Sequence, residues 1–182
     1  MATFDTGMPT FGVQKVIIAA GSDGTYGTPV TFPSVKTIGF DFTTVSDEAD
    51  GDMRVTALAA QAIKQTMTMD VAGLNLDVLA VLTGLSKATF SSTQNTMAFP
   101  NFRYQYFGLV AQGWAAENNG DTLLWIPKCK VMKGFTFKME FGKILVPNFK
   151  FDAILDDTAA YIWKMDERPD NSVAFTIPPT WN

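Results

Sequence analysis

No histidine occurs anywhere in this 182-residue chain, and cysteine occurs once, at Cys129. The first absence removes Ser-His and Cys-His nucleophilic machinery and every histidine-ligated metal site. The second excludes an intramolecular disulfide and a cysteine metal cluster. Charge is sparse as well: 18% of residues are charged and the net balance is −4. A duplex binder needs a basic face to neutralise phosphates, so tight nucleic-acid binding is not expected. No apolar run reaches the roughly 18 residues of a spanning helix. The opening stretch, MATFDTGMPTFG, has no basic run followed by an apolar one, so no secretory leader is expected and the chain reads as soluble in a cytoplasm.

What is present is apolar bulk. The chain is 47% hydrophobic, with 15 Phe and 9 Met, enough for one domain with a substantial core. Aromatics and Met at this level suit subunit interfaces as well as a Phe-rich interior. The charges are unevenly placed. Residues 41–52 hold Asp41, Asp47, Glu48, Asp50 and Asp52 with no basic residue, whereas 128–150 hold Lys128, Lys130, Lys133, Lys138, Lys143 and Lys150 against Glu140 alone. Such patches complement each other between copies, or they are ordinary solvated strand faces.

Most of the chain has the period of strands. VQKVIIAAG (13–21) is β-branched and ends in Gly, and GSDGTYGTPVTFPS (21–34) reads as a loop. In 35–45, Ile38, Phe40 and Phe42 alternate with Gly39, Asp41 and Thr43. SDEADGD (46–52) reads as a turn or loop, and 53–71 returns as an extended segment longer than one sheet needs. Met67, Met69 and Val71 alternate with Thr66, Thr68 and Asp70. The rhythm then becomes helical over about 75–84, with Asn75 as N-cap, Asp77 in the first turn, a Leu76, Leu79, Leu82 stripe and Gly84 as the stop. So short a helix must be packed on something apolar. A polar hairpin (88–100), a long aromatic strand (101–114) and three strands over 122–132, 134–144 and 147–155 follow, with Pro147 marking a strand start. NSVAFTIPPTWN reads as an extended arm.

The chemistry-bearing candidates are weak. Asp47-Glu48, Asp156-Asp157 and Asp166-Glu167 are adjacent pairs in loop-like segments, and they read as solvated charge. DEADGD resembles a calcium loop but lacks the terminal bidentate Glu and helical flanks. GSDGTYG runs into a Pro-rich loop and is neither a dinucleotide fingerprint nor a P-loop. Cys129, between Lys128 and Lys130, reads as a buried strand cysteine. No catalytic residue, metal site or cofactor is expected.

Two stretches carry a resemblance. IKQTMTMDVAGLNLDVLAVLTGL (63–85) orders a strand, Gly-Leu, a short helix and Leu-Thr-Gly. YFGLVAQGWAAENNGDTLLWIPKCKVMKGFTFKMEFGKILVPNFKFDAI (106–154) orders a glycine turn, an IPK-K strand, a hairpin and a strand ending near DAI. With the SDEADGDMR segment, they resemble major tail tube proteins of long-tailed, non-contractile bacteriophages over most of 13–157. The resemblance implies one domain that is mainly β, a sandwich or barrel-like fold with a flanking helix and a long loop at 46–56; the N-terminal arm (1–12) and the C-terminal strand or arm (158–182) lie outside the stretch that carries it. It further implies homohexameric rings stacked into a virion tube assembled in the host cytoplasm. Tape measure, terminator and distal tail proteins would be partners, and DNA would pass without specific binding. On that basis the expected inter-ring loop is Asp47, Glu48, Asp50, Asp52 and Arg54, facing Lys128, Lys130 and Lys133. The expected lumen residues are Asp41, Thr43, Thr66, Thr68 and Asp70, and the helix Leu76, Leu79 and Leu82 packs between elements. The competing expectations are a carbohydrate- or protein-binding sandwich, with Tyr104, Tyr106 and Trp114 stacking on a sugar, and a related baseplate or terminator protein.

Overall fold

A computed structural model describes residues 12–41, 45–51, 54–61, 64–71, 73, 75–91, 94–100, 103–114, 120–131, 138–140, 143–168, 175 and 177, with backbone pairing alone over 45–61. In chain order the elements are β1 (Gly12–Ser22), β2 (Thr25–Tyr26), β3 (Val30–Thr31), β4 (Val35–Asp41), β5 (Val45–Gly51), β6 (Arg54–Gln61) and β7 (Lys64–Val71). Then come α1 (Leu76–Thr83), β8 (Ala88–Ser91), β9 (Gln94–Thr96), β10 (Tyr106–Trp114), β11 (Asp121–Lys130), β12 (Lys138–Glu140), β13 (Lys143–Ile154) and β14 (Lys164–Arg168). The chain is mainly β, as its periodicity indicates. Ten strands form one antiparallel sheet whose main path runs β2-β1-β10-β11-β13-β7-β4, with β14 on β11, β12 on β13 and β3 on β1. The sheet curls until β4 lies alongside β1.

Curling turns one face inward. Val16 and Ile18 (β1), Met67, Met69 and Val71 (β7), Phe107 and Leu109 (β10), Leu124, Ile126 and Cys129 (β11) and Phe149 and Phe151 (β13) merge into one core. The alternation of β7 is realised in full: Met67, Met69 and Val71 are buried while Thr66, Thr68 and Asp70 keep contact with solvent. A smaller core sits on the opposite face. Ile17, Ala19 and Val110 are covered there by Tyr26, Trp125, Tyr161, Phe175 and Ile177. Burial on both faces explains why β1 reads as a continuous apolar run rather than an alternating one.

Helix α1 forms where its caps place it. Asn75 Oδ1 accepts the Val78 N–H at 2.8 Å, and Gly84 (φ 70°) donates its N–H to the Ala80 carbonyl. A Cβ at Gly84 would fall 2.0 Å from Gln105 Nε2, on the segment whose backbone bonds the Leu82 carbonyl. The seated face differs from the expected leucine stripe: Val78, Val81 and Leu82 are buried, while Leu76 and Leu79 are half-exposed. Spacing of i, i+3 and i+4 defines a face as well as a strict three-residue step does, and the β-branched pair fills the core side.

Three segments depart from their sequence reading. The 21–34 loop contains β2 and β3, both folded onto β1, with a two-residue turn at Asp23 (φ 55°) and Gly24 (φ 82°). Both central residues adopt positive φ, as an Asp-Gly hairpin turn of the primed type requires. The 46–56 loop is paired: Val45–Gly51 and Arg54–Gln61 form a ladder, and Asp52 and Met53 lie outside the described residues. Pro147 lies inside β13 rather than at its start, where the ladder to β7 shifts register between Val146 and Phe149. A residue without an N–H is tolerated at such a bulge. Phe175 and Ile177, in the segment read as an extended arm, pack onto the outer face of the sheet.

Candidate functional site

The pairing registers assemble the polar positions of separate strands into rows on the outer face. Asp41 (β4) is opposite Thr66 (β7), Thr66 opposite Asp152 (β13), Asp152 opposite Lys130 (β11), and Lys130 opposite Tyr106 (β10). In the next row, Gly39 pairs with Thr68 and Thr68 with Lys150, and beyond it Thr37 pairs with Asp70. Thr66, Thr68, Lys150 and Asp152 flank Met67, Met69, Phe149 and Phe151, which are all buried in the main core, so these four turn away from it. Thr66 Oγ1 donates to Asp152 Oδ1 at 2.8 Å, and Thr37 Oγ1 donates to Asp70 Oδ2 at 3.1 Å. Hydroxyls therefore bond the carboxylates laterally, and Asp152 is 5% exposed.

Lys150, opposite Thr68, and Lys130, opposite Asp152, share the face of Thr66, Thr68 and Asp70. The face is mixed in charge. Asp41 holds the expected register position, and Thr43 lies outside the described residues.

At one end of β11 the face becomes a basic edge. The Tyr106 ring has the Lys130 ammonium 4.7 Å and the Lys128 ammonium 5.3 Å from its centroid, within cation–π range. Lys128 Nζ also donates to Asp23 Oδ1 at 2.7 Å, and Ser22 Oγ donates to Asp23 Oδ2 at 2.8 Å. The bonds from Lys128 and Ser22 hold the Asp23 carboxyl below its usual range, and the same Asp23 contact raises the Lys128 ammonium. Lys133 lies outside the described residues.

Asp156 is not the solvated charge its Asp-Asp sequence suggests. It is fully buried. Oδ1 accepts the backbone N–H groups of Thr158 and Ala159 at 2.9 and 2.8 Å, and Oδ2 accepts that of Asp23 at 3.0 Å. The carboxylate is the knot tying the 23–24 turn to the 156–161 segment. Its Thr158 bond is an Asx turn, the signal that an Asp two residues before Thr offers. Asp157 is exposed, Asp166 pairs with Lys164 at 3.1 Å, and Asp166-Glu167 sits on β14 instead of a loop. Asp47-Glu48 likewise sits on β5.

A second buried carboxylate, absent from the sequence reading, anchors the other end of β11. Asp121 is 2% exposed and receives Arg168 Nε at 2.7 Å, Arg168 Nη2 and the Gln112 amide. Arg168 holds its carboxyl below the usual range. Beside it, Leu123, Trp125, Met165, Asp166, Glu167, Arg168 and Phe175 line an open groove of about 640 Å³. The Arg168 guanidinium pairs with Asp121. Cys129 is fully buried, and burial pushes its thiol pKa up. Among the described residues no three metal-ligating side chains group together, and no helix is long and apolar enough to cross a membrane. Tyr106 and Trp114 stand eight residues apart on β10, roughly 26 Å along a strand, and Tyr104 packs against the core.

No family model and no curated protein matches this chain.

Proposed function

We propose that the chain is the repeating subunit of a tube, of the kind formed by the major tail tube proteins it resembles, and that its role is structural. The observation that carries this reading is the hairpin built from β4 to β7. Its base, β4 with β7, belongs to the large sheet. Its distal half, β5 with β6, continues nearly the same register but pairs with no other described strand. Seven residues of β5 extend roughly 23 Å. A two-stranded ribbon is marginal alone in water, so a neighbouring copy is the natural cover. Asp47, Glu48 and Asp50 lie on β5 and Arg54 begins β6. Their counterparts on the next copy are Lys128 and Lys130 on the basic edge, together with Lys133.

The outer face carrying Thr66, Thr68, Asp70, Lys150 and Asp152 is the channel wall in this reading. Duplex DNA presents one charge per ~1.7 Å of axis, so a uniformly basic wall would hold it throughout. Hydroxyls and alternating signs let it slide, and retention of duplex at about 0.15 M salt by assembled tubes would contradict this wall. Hexameric rings, a tape measure within, and terminator and distal proteins at the ends complete the proposal, with the virion tail as its place. Deleting residues 47–52 tests it: the subunit should fold with its thermal transition nearly unchanged and lose assembly. Tubes of normal length from the deletion would defeat the reading.

A further inference from the structure

We propose that Asp23 is an internal competitor for Lys128, occupying the basic edge until an acid from a second copy displaces it. The inference rests on the tube reading above and adds a control on it. Lys128 is a poor docking residue as it stands: its side chain is 13% exposed and its ammonium lies 2.7 Å from Asp23 Oδ1. Asp23, by contrast, exposes 48% of its side chain. The open approach to Lys128 therefore runs past Asp23.

Two carboxylates crowding one ammonium repel each other, so an incoming acid and Asp23 exclude one another. Displacement does not require the turn to unfold. Asp23 is held by its backbone N–H on the buried Asp156 carboxylate, and Tyr26, two residues on from the turn glycine, donates its hydroxyl to the Pro127 carbonyl at 2.8 Å. The main chain stays fixed while one side chain rotates away. Lys130, also against the Tyr106 ring, has its ammonium 4.7 Å from the centroid and supplies a second cation to the incoming acid. The acids of β5 on another copy are the occupant of matching charge, since Asp47, Glu48 and Asp50 have no basic residue among their strand neighbours from 45 to 51.

The test is the critical concentration for assembly of purified full-length protein, wild type against Asp23→Asn and Asp23→Glu. Asn-Gly favours the same turn, and the Asp156 bond uses the backbone, so the Asn variant keeps the fold. An exposed ion pair is worth about 0.2–1 kcal/mol, which converts to a roughly 1.5- to 5-fold lower critical concentration for Asp23→Asn. Asp23→Glu, which keeps the competing charge, should remain within twofold of wild type. The amine of Lys128, followed by reductive methylation and mass spectrometry on dispersed subunits, should react faster in Asp23→Asn. An unchanged or raised critical concentration in Asp23→Asn, in a wild-type protein that does assemble, overturns the competitor and leaves the tube reading standing. Absence of assembly in every variant overturns both.

Discussion

Replacing Asp121 by Asn should detach the last strand of the sheet. Asp121 is opposite Trp114 on one side and Arg168 on the other, so it sits where β10, β11 and β14 meet. The substitution keeps shape and removes charge. It leaves Arg168, whose side chain is 20% exposed, without its carboxylate partner at Asp121. Breaking a buried pair on one side costs about 3–5 kcal/mol, and the partial exposure of Arg168 places this case near ~3 kcal/mol. For a chain of this length that is a fall in Tm of roughly 6–12 °C. The effect is pH-dependent with a defined sign. Arg168 lowers the Asp121 pKa, so the wild-type advantage is complete above the unfolded carboxyl value near 3.9 and is lost as pH falls through the lower folded value. Thermal melts of dispersed subunits at pH 7 and in acid measure both features. The gap between wild type and variant should be full at pH 7 and close in acid. A second variant, Asp121→Leu with Arg168→Met, should recover much of the loss, because paired apolar replacements avoid the stranded charge. A Tm for Asp121→Asn within 2 °C of wild type at pH 7 would refute the proposed anchor.

Leu82→Ala, at a site with no exposure, should cost about 2–5 kcal/mol, whereas Leu76→Ala on the half-exposed side should cost distinctly less; urea titration separates them. Cys129 should resist thiol reagents in the folded protein and react only on unfolding, since burial both hides it and raises its pKa; stoichiometric labelling under native conditions would contradict its placement. Gly108→Ala should be destabilising, because a Cβ there would lie 2.7 Å from Tyr26 Cε1, and a smaller side chain at Tyr26 should relieve part of that loss in chemical denaturation. Tyr26→Phe alone removes the bond to the Pro127 carbonyl and should lower stability by about 0.5–1.5 kcal/mol.

Local signals in the sequence were sufficient wherever local chemistry decides the structure. Asn75 and Gly84 bracket α1 because caps act within one turn. Met67 and Met69 went inward because alternation is a property of the strand itself. Failures came where a partner distant in sequence takes over. Asp121 and Arg168 are 47 residues apart, and Lys128 and Asp23 are 105 apart; no spacing rule links them. Asp156 read as solvent-exposed because acidic pairs usually are, but three backbone N–H groups converge on it. The acids of β5 argued for a loop on propensity, yet the ladder begun by β4 and β7 carries pairing on through them. Which face Lys130 and Lys150 share with Thr66 follows only from register across three strands, which no single-strand pattern encodes.

Electron cryo-microscopy of the concentrated full-length protein tests the central proposal most directly. The account predicts annular particles or hollow rods in which Thr66, Thr68 and Lys150 face the lumen and the β5–β6 ribbon reaches a neighbouring copy. Dispersed monomers at high concentration, or an assembly with that face turned outward and the ribbon touching no other subunit, would contradict it.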